Sequence, residues 1–213
     1  MAQLSALYPL VRPWVPGVPD IALDLVGRQV VRDFSRKTRA VLLTLDPITL
    51  TAGTSTVTLT PPSGYEIVSP VSVRYNGRVL TPKAADALDA ATPFEDWRTL
   101  APGTPAVFVS DSLEPNVITV YPANGEDAVL SVRAAVAQAG AFTVIPDILM
   151  RWERVLAAGM KAELFRMPDT TYFKPDLLPI EEARYADGWA SARFDVLRGG
   201  VDAPAHVSMI PLA

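Results

Sequence analysis

A single histidine, His206, is the only imidazole the chain can offer as a general base, and it sits in a tail with no core around it. There is no cysteine. A Ser-His-Asp or Cys-His mechanism therefore has no base held in place, and no thiolate exists for a metal or a nucleophile. Neither G-x-G-x-x-G nor G-x-x-x-x-G-K-[ST] occurs, so no phosphate cradle is written into the sequence. The acidic residues of the middle segment (Asp46, Asp86, Asp89, Glu95, Asp96, Asp111, Glu114, Glu126, Asp127) lack calcium-loop spacing. Glu181-Glu182 resembles a carboxylate pair, but neighbours on a helix point about 100° apart and do not converge on one bond. These two residues suit the positive end of a helix better. Tyr65, Tyr75, Trp97 and Tyr121 read either as core or as a sugar-stacking face. The expectation is no catalytic residue, no cofactor and no metal, hence no enzyme.

The elements that would hold such residues change period twice. Leu23, Val26, Val30 and Phe34 recur at spacings of three and four, which predicts an amphipathic helix over 21–41 with Asp20 as its N-cap. Gly27 weakens that helix unless a neighbour needs the space. From Leu43 the pattern alternates. Thr56–Thr60, Ile67–Tyr75, Val79–Thr81, Val107–Val109, Val117–Tyr121 and Ala128–Val136 read as strands. Asn76-Gly77 predicts a type I′ hairpin and Asn124-Gly125 a second tight turn. Residues 82–105 read as a long surface loop with a helical piece around Ala84–Ala90. After Pro146 a helical face returns through Leu149, Trp152, Leu156 and Met160 to a stop at Pro168. A last helix is expected from an Asp176 N-cap to Gly199-Gly200.

The fold class expected is α+β: a helical bundle with an inserted small antiparallel β-sandwich or barrel. Residues 1–41 form a strap and first helix, 42–144 the β insertion, 145–200 the completing helices, and 201–213 an extended tail. Four of the chain's prolines fall in the first twenty residues, which predicts a mostly extended leader with at most one helical turn near Ser5–Leu10. The opening Met-Ala-Gln-Leu-Ser gives no expectation of a signal peptide, and no apolar run approaches membrane-spanning length.

Net charge is −4, so nothing global favours nucleic acid. Locally, Arg28, Arg32, Arg36, Lys37 and Arg39 make the first helix basic, either as a solvated face or as a contact for an acidic surface or DNA phosphate. The last helix carries small residues, and Ala183, Ala186 and Ala190 are the candidate face for close helix packing, within or between subunits. The tail offers Val201, Val207, Met209, Ile210 and Leu212 as apolar anchors, with Pro204 and Pro211 keeping it extended. It reads either as a loose end or as a docking segment, mobile in the free subunit.

The order of several runs resembles the head-to-tail adaptor, or connector, family of tailed bacteriophages, especially short-tailed ones. The runs are Val30-Val31-Arg32-Asp33-Phe34-Ser35-Arg36-Lys37-Thr38, then Val73–Pro82, Trp97-Arg98, Gly103-Thr104-Pro105 and Ile118–Pro122. They continue with Ile145–Leu149, Ala157–Leu164 and Arg184-Tyr185 through Arg198-Gly199. The resemblance implies a structural virion protein, assembled in the host bacterial cytoplasm. It implies a homododecameric ring between the portal protein and a tail nozzle or tail tube protein. Double-stranded DNA would pass through its channel without sequence-specific binding. The competing expectation is a β-sandwich carbohydrate-binding module on a helical scaffold, which requires an exposed aromatic platform.

Overall fold

The computed structural model describes residues 1–91, 97, 101–111, 113–168 and 170–198. In chain order the elements are β1 (Ala2–Gln3), a 3-10 turn (Leu4–Leu7), α1 (Tyr8–Val11), a second 3-10 turn (Arg12–Trp14) and α2 (Asp20–Thr38). Then come β2 (Leu42–Thr44), β3 (Ile48–Leu50), β4 (Thr56–Thr58), β5 (Tyr65–Tyr75), β6 (Arg78–Val79), β7 (Thr81–Pro82) and α3 (Ala85–Ala91). They are followed by β8 (Val107–Ser110), β9 (Val117–Tyr121), β10 (Ala128–Gln138) and β11 (Val144–Ile145). A third 3-10 segment (Asp147–Trp152), α4 (Glu153–Phe165) and α5 (Leu178–Leu197) end the described chain. The class is α+β, with helices toward both ends and sheets between.

The leader is more helical than its prolines suggest. Pro9 and Pro13 both fall in first-turn positions, where a missing N–H removes no helical bond. Leu4, Leu7, Tyr8 and Val11 are consequently buried. Asp20 is not the N-cap. Pro19 holds that position in extended conformation, and Asp20 is the first helical residue, ion-paired with Arg12. Helix α2 ends at Thr38 rather than 41, because Arg39 turns left-handed (φ 57°) and its N–H closes onto Ser35 O. Asp176 is likewise not a cap; Leu177 holds that position, with Pro179 in the first turn. The Gly199-Gly200 stop lies outside the described residues.

Strand β10 organises one sheet. It pairs antiparallel with β2, β3 and β5, and β5 continues to β6. Val73 faces Val132 and Tyr75 faces Leu130 across this ladder. Asn76 and Gly77 take φ of 45° and 84°, the sign a type I′ hairpin needs at both positions. A second sheet runs β4-β9-β8-β7, antiparallel except for the β7–β8 pair. The inward residues of both sheets join one core cluster that continues through α2, α4 and the leader. The β1–β11 pair ties the start of the chain to the return into the helices.

Candidate docking surfaces

Helices α2, α4 and α5 touch one another, and glycines set how closely. A Cβ added at Gly159 would lie 2.8 Å from a Val30 methyl and 2.9 Å from the Tyr185 ring. Gly27 faces Leu4 and Met160 at 3.2–3.3 Å, which is the neighbour its presence in α2 anticipates. On α5 the inward stripe is Glu181, Tyr185, Gly188 and Ala192, spaced by four, three and four.

Two polar networks lie along these contacts. Lys161, with 9% of its side chain exposed, places Nζ 2.7 Å from Oε2 of Glu181, which is 5% exposed. Arg184 donates to the other oxygen at 2.6 Å, and the Trp14 ring covers the Lys161 ammonium at 5.1 Å. Glu182 turns instead to Arg166. The adjacent carboxylates thus diverge into separate ion pairs, which is a stronger constraint than the capping role read from sequence. In the second network the Tyr185 hydroxyl donates to Asp33 Oδ2 at 2.8 Å, and Lys37 Nζ meets the same oxygen at 2.8 Å. Burial, and then the Asp33 charge, hold the Tyr185 phenol far above its ordinary pKa. Tyr8, bonded to Asp24, is shifted the same way by burial first.

The basic residues of α2 are engaged within the chain. Arg28 donates Nε–H to Phe142 O at 2.7 Å, and Arg32 donates to Gln138 O (2.9 Å) and Gly140 O (3.1 Å). Arg36 pairs with Glu66 at 2.7 Å. Arg28 and Arg32 thus fasten α2 to the end of β10 and the turn beyond it, and Arg36 ties it to β5, while Arg36 and Arg39 stay exposed to solvent.

The aromatic residues of the sheets do not form a platform. Tyr75 is buried and donates to Asn124 Oδ1 at 2.6 Å. Trp97 is buried in a satellite cluster, its Nε1 donating to Asp89 at 2.7 Å and its ring edge-on to Tyr121. Tyr65 and Tyr121 are half-buried. Among the described residues no group of three His, Cys, Asp or Glu side chains stands as a metal site, and no helix is long and apolar enough to cross a membrane.

What the surface does present is the outer face of α5. Ala183 and Ala186 are exposed and Ala190 is half-buried. The spacing continues to Phe194 and Leu197, which are 64% and 71% exposed. Close packing inside the subunit therefore falls to Gly159, Gly188 and Ala192, while the three alanines share their stripe with two large apolar side chains facing outward. The tail residues Val201, Val207, Met209, Ile210 and Leu212, with His206, lie outside the described residues.

A structural scaffold with an apolar outer helix fits the result of comparison with known families. A family model described as SU10 adaptor protein matches residues 2–207. The chain belongs to the SU10 adaptor family. That places it among phage adaptor proteins, structural virion components, and agrees with the resemblance read from its ordered runs. No curated protein matches it. In this SU10 adaptor, the residues missed by sequence reasoning are Lys161 and Asn124. Lys161 enters the sequence reading only as part of the run Ala157–Leu164, yet it is buried. Asn124 looked like a turn, yet it is fully buried, with Nδ2 donating to Leu50 O (3.1 Å), Thr51 O (3.3 Å) and Glu126 O.

Proposed function

We propose that this SU10 adaptor is a subunit of a dodecameric ring that joins the portal protein to a tail nozzle or tail tube protein. The genome would pass through its channel without sequence-specific contact. In this reading the chain is not an enzyme: it is a helical bundle (1–41 and 145–200) carrying an inserted β-sandwich (42–144), with a docking tail (201–213). The observation that carries the proposal is the family match across residues 2–207. The outer face of α5 supports a ring, because a ring repeats one heterologous contact and needs an apolar surface left over by the subunit's own core. Ala183, Ala186 and Ala190 would let a neighbouring helix approach closely, with Phe194 and Leu197 as the larger contacts.

The tail anchors Val201, Val207, Met209, Ile210 and Leu212 would dock on the portal. Each large side chain fully buried there contributes about 1.5–3 kcal/mol before the cost of ordering the segment. The test is assembly on purified portal, imaged by cryo-electron microscopy, for the full chain and for a chain lacking 201–213. The full chain should form a ring on the portal, and the truncated chain should still fold yet fail to join. Failure of the full chain to bind portal overturns the adaptor reading, and normal joining by the truncated chain overturns the tail's role.

A further inference from the structure

The first sheet has an outer edge that is mostly bare. Strand β6 covers only Arg74 and Tyr75 of β5, so among the described residues the stretch from Ile67 to Ser72 has no pairing strand on that side. The same stretch is irregular toward β10. Val68 and Val71 are the extra residues at its two register shifts, and Val71 is 45% exposed. Beside this edge runs a groove of about 800 Å3, lined by Val68, Val71, Pro82 and Phe108 on the sheet side and by Arg193 and Leu197 from the end of α5. An open edge next to an apolar groove is a site for an added extended segment, with main-chain pairing for affinity and alternate side chains for specificity.

We propose that the occupant of this groove, in the free subunit, is the chain's own C-terminal tail, with His206–Ile210 lying along β5. Where the helix ends is the first argument. Arg193, Val196 and Leu197 already line the groove, and the tail starts immediately after them. Gly199-Gly200 lets the chain reverse, and His206 follows Leu197 by nine residues, a reach of about 30 Å when extended. Sequence pattern is the second. His206-Val207-Ser208-Met209 alternates polar and apolar, as a half-buried edge strand does, and Pro204 and Pro211 bound it where a ladder must stop. Pro70 likewise removes a donor from β5, so the pairing available is short on both partners. Charge is the third. The groove holds Arg39, Lys83 and Arg193 against Asp111, while Asp202 is the tail's one carboxylate side chain. The tail would then leave this groove for the portal during assembly. That last step rests on the adaptor reading, whereas the parking itself does not.

The chain lacks cysteine, so Ser208→Cys gives a unique site for a nitroxide label. In dilute full-length protein, amide NMR signals of Val68, Val71, Lys83 and Arg193 should lose most of their intensity when the label is oxidised. Those of Ile21 and Leu25, on the first helix, should not. Val71→Glu, at an exposed edge position, should restore the groove signals. Val207→Asp/Met209→Asp, which leaves the described fold untouched, should do the same. Unbroadened groove signals in the unmodified background overturn the proposal. So does broadening that vanishes on mixing labelled with excess unlabelled, isotope-free protein at higher dilution, which assigns the tail to another copy. If the groove signals stay sharp while loss of 201–213 still abolishes portal joining, the parking site fails and the adaptor reading stands.

Discussion

Gly188 lies under Val155 so closely that a Cβ built on it would fall 2.5 Å from both γ-methyl groups. No real contact is that short, so the α4–α5 spacing is set by the missing side chain. Gly188→Ala should gain about 1 kcal/mol in helix propensity and lose more through overpacking, for a net destabilisation in the region of 1–2 kcal/mol by urea denaturation. Ala186→Trp, on the exposed side of the same helix, should leave the denaturation midpoint unchanged and interfere only with association of subunits. A stable Gly188→Ala protein would mean that α5 shifts freely on α4.

The Lys161–Glu181 pair is enclosed by the helices and by Trp14. Lys161→Met alone leaves a buried carboxylate whose remaining partner, Arg184, is largely exposed. Breaking such a pair costs about 3–5 kcal/mol, whereas replacing both charges with apolar groups is close to neutral. The double variant Lys161→Met/Glu181→Leu should therefore be more stable than either single one, measured as a double-mutant cycle. Equal, additive losses would show that the charges act independently.

Raised tyrosine pKa values fix the alkaline limb of stability. Tyr185 and Tyr8 are held protonated in the fold by burial and by Asp33 and Asp24. Below the ordinary value near 10 the phenols are neutral in both states, and the full contribution is present. Above it the unfolded chain ionises while the folded one resists, so stability falls progressively as pH rises toward the folded value. Tyr185→Phe should be about 1 kcal/mol less stable at pH 7, from the lost bond to Asp33. The gap should narrow and then reverse above pH 10. A constant gap across that range would separate the hydrogen bond from the titration.

The sequence yields the α+β class and most strands, because periods of 3.6 and 2 survive in Leu23-Val26-Val30-Phe34 and in Val117–Tyr121. Local signals mislead where tertiary partners decide. Asn124-Gly125 carries turn residues, yet Asn124 serves as a buried node between β3 and β9 that joins Tyr75 to three carbonyls. The bond to Glu126 O is local and turn-like, but no local pattern marks the others, whose partners are 49 to 74 residues away. The prolines of the leader suggest extension, but a proline in a first helical turn costs nothing, and the apolar spacing Leu4-Leu7-Tyr8-Val11 is what the fold used. The small residues of α5 were legible in the sequence, but the close contacts within the subunit fall on Gly188 and Ala192, not on the candidate Ala183-Ala186-Ala190 face. Which side packs inward was not legible, because both sides of that helix carry apolar residues.

The arginines of α2 give the last prediction. Arg28 and Arg32 bind carbonyl oxygens of Phe142, Gln138 and Gly140, so they serve as connectors between the first helix and the far end of β10. Each such bond involves a charged donor and contributes about 1.5–3 kcal/mol. These bonds go to carbonyl dipoles, and among the described residues the one ionic partner, Asp24, stands 4.0 Å from Arg28, so salt should screen them little. Arg32→Lys keeps the charge but loses the fork that reaches two carbonyls, and should recover only part of the stability lost in Arg32→Ala. The Arg28→Ala/Arg32→Ala protein should unfold at lower denaturant in both low and high salt. Its affinity for duplex DNA, measured by fluorescence anisotropy, should match that of the unaltered chain. A large loss of DNA affinity with unchanged folding stability would reverse this assignment and return α2 to the role of a phosphate-binding stripe.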